Sequence, residues 1–104
     1  MKELKNEEDI RSITGEKSAI IELGTPDTCM PCKMLQDILH EFEDEKTFDN
    51  LEFYNCSNVD TIMKMGYSSL PVMIMITKKV YDVETDSSII IDEDEVYDWI
   101  EARI

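Results

Sequence analysis

Apolar positions along the chain follow two rhythms, and each predicts a different element. Asn6 to Thr14 has an acidic first turn with apolar Ile10 and Ile13, a short helix opened by Asn6 and closed at Gly15. Ser18 to Leu23 is a short isoleucine-rich run, expected as a buried strand. Residues 24–28, Gly-Thr-Pro-Asp-Thr, form a loop by composition. From Cys29 the rhythm turns helical: Leu35, Ile38, Leu39 and Phe42 make one apolar stripe, with Gln36, Asp37, Glu41 and Glu43 off it. Pro31 falls in the first turn, where a missing N–H costs little, and the helix fades by Glu45 or Lys46.

Leu51 to Cys56 predicts a second strand, and Val59, Ile62 and Met63 a short helix ended by Gly66. Pro71 to Thr77 is an apolar run of strand length, expected at the sheet centre with its proline at the start. Lys79 to Ile91 is expected to return as another strand ending Ser88-Ile89-Ile90-Ile91. Asp92 caps a last helix carrying Val96, Trp99, Ile100 and Arg103 at helical spacing. The predicted order is α, β, α, β, α, β, β, α. Strands separated by helices pair in parallel and the adjacent last two form a hairpin, which gives an α/β fold: a mixed central sheet with helices on both faces.

Length and composition narrow the function. The 104 residues suffice for one domain, residues 1–104, without repeats or linkers. The net charge of −14 repels a phosphate backbone, so nucleic acid is not an expected partner. No apolar run approaches the roughly 20 residues of a membrane span, and Met1 to Asp9 has no apolar segment of the signal-peptide kind. A cytoplasmic, monomeric protein away from membranes is expected.

Three cysteines, Cys29, Cys32 and Cys56, cannot all pair within one chain. Cys29 and Cys32 form a CxxC at a predicted helix start, after a strand and loop. That spacing holds two sulfurs near bonding distance, and the helix N-terminus favours a thiolate, lowering a cysteine pKa from about 8.5 toward 7 or below. Lys33 adds positive charge. Cys29, at the exposed end, is the expected nucleophile and Cys32, one turn in, the resolving thiol; such exchange needs no cofactor. The competing use of a CxxC is zinc, which requires four ligands. Only Cys56 and His40 remain, and His40 lies eight residues beyond Cys32 on the same helix, about 12 Å along its axis. A purely structural disulfide fits poorly with a reducing cytosol.

Two segments carry a family resemblance: Cys29-Met30-Pro31-Cys32-Lys33-Met34 and Lys64-Met65-Gly66-Tyr67-Ser68-Ser69-Leu70-Pro71. The chain resembles the thioredoxin family, whose Cys-Gly-Pro-Cys-Lys is followed some forty residues later by a Lys-Tyr-Gly-type helix end and a hydrophobic-Pro pair. The element order agrees over essentially the whole chain. The resemblance implies a thioredoxin-like fold, a protein-disulfide reductase, disulfide-containing protein substrates and a thioredoxin-reductase-type electron donor. It further implies that Pro71 is cis and packs beside the CxxC, that the Leu70 backbone pairs with an extended substrate segment, and that Met30, Pro31, Leu70 and Pro71 form an apolar substrate-facing patch.

The departures are specific. Thr28 stands where the family has Trp before the first cysteine. Leu23 stands where it buries an Asp, six residues before that cysteine. Glu22 is the neighbouring carboxylate, reached by a one-residue slip, although strand side chains alternate faces. The glycines usual in and after the final hairpin are absent. These losses keep a second reading open, a thioredoxin-fold binding module or subunit with little redox turnover. A glutaredoxin fits less well, for want of an aromatic within the CxxC and a Gly-Gly pair after the proline strand. Elsewhere, Cys56, Trp99 and the Met63, Met65, Met73 and Met75 set read as core, and His40 as helix surface.

Overall fold

In the computed structural model, residues 1–13, 16–78 and 80–104 are described. Ten elements follow in the order β1 (Lys2–Glu3), α1 (Glu7–Arg11), β2 (Ser18–Leu23), α2 (Met30–Asp44), β3 (Leu51–Cys56), α3 (Val59–Lys64), β4 (Val72–Thr77), β5 (Val80–Glu84), α4 (Ser87–Ile90) and α5 (Glu93–Glu101). The five strands form one sheet in the order β1-β3-β2-β4-β5. β3 lies parallel to β1 and β2, and β4 antiparallel to β2 and β5, the mixed sheet expected.

Alternation along the strands splits the core in two. On β4, Met73 and Met75 point to one side with Ile20, Phe53, the α2 residues Leu35, Leu39 and Phe42, Ile90, and Val96, Trp99 and Ile100 of α5. Val72, Ile74 and Ile76 point to the other with Ile21, Leu23, Cys56, Ile10 of α1 and Ile62 of α3. A strand covered on both faces reads as a mostly apolar run, which is why β2, interrupted only by Glu22, and β4 were legible. Four helices open on side chains of the Asn/Asp type: Asn6 accepts from Asp9 N, Asn58 from Thr61 N, Asp86 from Ser88 N and Asp92 from Glu95 N.

Four expectations need correction or completion. Ser88 to Ile91 is not strand. β5 ends at Glu84, and Asp86 accepts from both the N–H and hydroxyl of Ser88, opening the one-turn α4. The capping turn overrides the strand preference of consecutive isoleucines, because helical spacing drives Ile90 into the α2/α5 core. Met63 is not core filling but 65 % exposed, since the short α3 buries only Thr61 and Ile62. Met73 and Met75 are fully buried and Met65 partly so. The two-residue β1 was not foreseen: Lys2 and Glu3 offer no apolar pattern, and β3 recruits them through its free edge. The first helix is shorter than expected, ending at Arg11, and its expected close at Thr14 and Gly15 lies outside the described residues, as does Lys79 at the expected start of the last strand.

Candidate functional site

The carboxyl end of β2 and the start of β4 lie at the same end of the sheet, because Leu23 pairs with both Cys56, the last residue of β3, and Val72, the first of β4. The chain leaves β2 through residues 24–28 and enters α2 at this end, and Pro71 enters β4 here. Topology therefore gathers the two motifs that forty residues of sequence separate. The Leu70–Pro71 peptide is cis.

Cys29 is the N-cap of α2. Its sulfur accepts the Cys32 backbone N–H at 3.3 Å, and Pro31 lies in the first turn. Cys29 and Cys32 are joined as a disulfide with Cα atoms 5.2 Å apart. The two are unequal: Cys29 is half-buried and Cys32 fully buried. In the reduced state the N-cap position aims a backbone N–H and the positive helix end at the outer sulfur. The helix ends differ in a way that sharpens this. α1 and α5 each carry three acidic residues in the first turn, whereas α2 carries none, leaving its N-terminal field to the cysteine.

Beneath the sulfurs lies a carboxyl that the family spacing misplaces. Glu22 is fully buried, on the face of β2 that looks toward α2, flanked in register by Asn55 and Met73. Leu23, at the family's position for the acid, points to the opposite core. Strand alternation thus puts Glu22, and not Leu23, on the α2 side of the sheet. A Cβ placed on Gly24 would stand 2.9 Å from Cys32 Sγ and 3.6 Å from Glu22 Oε2, so carboxyl and sulfur border one small space. Neither Glu22 oxygen has a hydrogen-bond partner among the described residues. Burial, and next the Asp37 carboxylate, push its pKa up to about 8, against the opposing pull of Lys33. Lys33 and Asp37 pair with each other at 2.5 Å on the surface of α2.

Gly24 is the residue that sequence reasoning passed over. Its N–H donates to Cys56 O at 3.0 Å, fixing the backbone, while its missing side chain leaves room for Cys32. The only advance signal was its place between a buried strand and the CxxC loop. Gly24→Ala is expected to destabilise the oxidised protein by about 1–3 kcal/mol, since neither Cys32 nor the anchored backbone can yield freely. Urea denaturation of the disulfide form checks this; a change within a few tenths of a kcal/mol would contradict the crowding.

The remaining expected residues fall as follows. Met30 is 71 % exposed, Pro31 and Leu70 are half-buried, and Pro71 is buried. Thr28 turns its hydroxyl to Thr25 Oγ1 at 3.1 Å within the loop. Cys56 is buried in the α1/α3 core, and burial pushes its thiol pKa up, away from reactivity. His40 is exposed and Trp99 buried, with the Arg103 guanidinium 4.0 Å above its ring. Among the described residues, no three His, Cys, Asp or Glu side chains gather as a metal site, and no helix is long and apolar enough to cross a membrane.

No protein-family model matches the chain, and no curated protein matches it in sequence. Solved structures do match it. Thioredoxin of Fasciola hepatica superposes with a TM-score of 0.78 at 16 % identity over 98 % of each chain. Thioredoxin of Plasmodium falciparum gives 0.77 at 16 % identity over the whole of both chains. A Schistosoma mansoni thioredoxin pre-protein gives 0.75 at 22 % identity over 98 % of this chain and 96 % of that one. The chain therefore has the thioredoxin fold, reached with little of the sequence of these proteins.

Proposed function

We propose that the protein is a thiol–disulfide oxidoreductase that reduces protein disulfides through a reversible Cys29–Cys32 disulfide. The observation that carries this reading is the asymmetric pair at the start of α2, one sulfur capping the helix and half-exposed, the other buried beside Glu22. Cys29 thiolate attacks a substrate disulfide, forming a mixed disulfide and releasing one substrate thiolate. Cys32 then loses its proton to Glu22 and attacks the Cys29 sulfur. The second substrate thiolate leaves, and two electrons have passed from the protein to the substrate. A carboxyl titrating near 8 has the basicity for that proton transfer close to neutral pH.

Met30, Pro31, Leu70 and Pro71 would meet the substrate. Among the described residues no backbone hydrogen bond engages Leu70, which suits pairing with an extended substrate segment. A dithiol electron donor of the thioredoxin-reductase type would restore the reduced state, in the cytoplasm and with the protein as a monomer.

Redox titration of the pair, read by thiol alkylation and intact mass, tests the proposal. A two-electron transition near the thioredoxin value of about −270 mV is expected. A much higher potential would make the protein an oxidant or isomerase. Failure of the two cysteines to interconvert at any potential would leave only the binding-module reading.

A further inference from the structure

Beyond the CxxC, the outer face of α2 continues into a groove that the redox chemistry does not use. Met30, Met34 and Ile38 follow at four-residue intervals, so a ridge of apolar side chains runs away from Cys29 along the helix. Met30 and Met34 are exposed, and Ile38 is seated against the α2/α5 core. The α4 turn brings Ile91, 37 % exposed, and Glu93 against this ridge. The result is a groove of about 300 Å³ lined by Met34, Asp37, Ile38, Glu41, Ile91 and Glu93.

Its apolar floor carries an acidic rim. Asp37 has Lys33 as partner, but no cation among the described residues lies within ion-pair distance of Glu41 or Glu93. A hydrogen bond with the Glu93 carboxyl, and next the repulsion between the two charges, holds Glu41 above the usual carboxylate range. A guanidinium or ammonium placed between them relieves that repulsion, and a guanidinium matches paired carboxylates in shape. A second copy of the chain is a poor occupant, since each copy carries −14.

We propose that this groove docks a basic, apolar segment of the disulfide-bearing protein substrate, with Glu41 and Glu93 receiving an Arg or Lys and Met34, Ile38 and Ile91 receiving its apolar neighbours. The proposal rests on the oxidoreductase reading above and adds a substrate class to it. Helix rise places the groove roughly 8 to 18 Å from Cys29. An extended segment covers that span in roughly three to six residues, which sets where the basic residues stand relative to the substrate cysteine.

The test uses the dithiol protein in single turnover, with acid quench and intact mass as readout. Three substrates are compared: neutral hydroxyethyl disulfide and two peptides sharing one disulfide loop, flanked three to six residues away by alternating Leu and Arg or by alternating Leu and Glu. The basic peptide should react roughly tenfold or more faster than the acidic one. Glu41→Gln/Glu93→Gln should shrink that ratio to about threefold or less. Asp44→Asn/Glu45→Gln, which removes the same charge at the exposed far end of α2, should leave the ratio in place.

Equal ratios in the two double variants would assign the preference to bulk charge and overturn the groove. So would a dimer in sedimentation that Ile91→Ser dissolves, because the groove would then hold a second copy. Failure to reduce hydroxyethyl disulfide would instead strike at the redox reading itself, before any docking question arises.

Discussion

Cys29→Ser is expected to lower the rate of disulfide exchange on the order of a thousandfold or more, because a hydroxyl at the N-cap has no accessible anionic form to attack sulfur. The fold should survive. Serine is a favoured N-cap and can accept the Cys32 N–H that the sulfur now accepts at 3.3 Å. Stability measured against the reduced parent should therefore change by less than about 1 kcal/mol, which separates lost chemistry from lost structure. Cys32→Ser should behave differently. It leaves Cys29 free to attack but removes the resolving thiol, so a mixed disulfide with substrate should accumulate and be visible as added mass. A Cys29→Ser protein that retained exchange would sink the proposed mechanism. One that lost exchange but kept a bound partner in full would favour the binding-module reading.

Glu22→Gln is expected to make the protein more stable and a worse catalyst. The folded-state pKa is raised from 4.5 to about 8, so the folded chain holds this proton more tightly than the unfolded chain. The group's contribution to stability is full below about 4.5 and is lost as pH climbs through 8. At 1.36 kcal/mol per unit, the buried carboxylate costs on the order of 3 kcal/mol at pH 7 and 4–5 above pH 8. Glutamine removes the charge and keeps the shape. Its amide stays unpaired in the same place, so these figures are ceilings on the gain. Urea denaturation of the oxidised variant and parent at pH 5, 7 and 9 should show curves that diverge as pH rises.

The catalytic loss has its own signature. The parent's resolving step should accelerate as pH rises toward 8. In Glu22→Gln that step should be slower by roughly a hundredfold near neutrality, and its acceleration should shift to the range of the Cys32 thiol itself. A variant slower but with an unchanged pH profile would make Glu22 a packing element rather than a proton acceptor. The charged neighbours make a second check available. Lys33 opposes the upward shift and Asp37 reinforces it, so Lys33→Met should move the inflection up and Asp37→Asn should move it down.

The stability gain and the catalytic loss have one cause. A carboxylate without partners, inside a sheet otherwise built from Ile20, Ile21, Met73 and Met75, has no structural use. It is tolerable because it holds its proton, and on the proposed mechanism it becomes useful when a sulfur beside it must give one up.

Most of the layered fold was legible before any coordinates. β4 is an unbroken apolar run and β2 an apolar run interrupted only by Glu22, because helices cover both strands on both sides, and α2 shows a stripe because only one of its faces is covered. Spacing and capping, both local, placed Cys29 at a helix start and Asp92 at another. What local pattern could not decide was set by neighbours distant in the chain. Lys2 and Glu3 become strand only because β3 offers them an edge, and Ser87 to Ile90 coil into a turn only because Ile90 has a core to enter. The proposed proton acceptor belongs with these. Sequence spacing points to position 23, and alternation along a strand says that 22 and 23 face opposite ways, but which way each faces follows from how β2 sits between β3 and β4. The sheet put Leu23 among Ile62 and Val72, left Glu22 under the sulfurs, and made Gly24 the gap through which carboxyl and thiol meet.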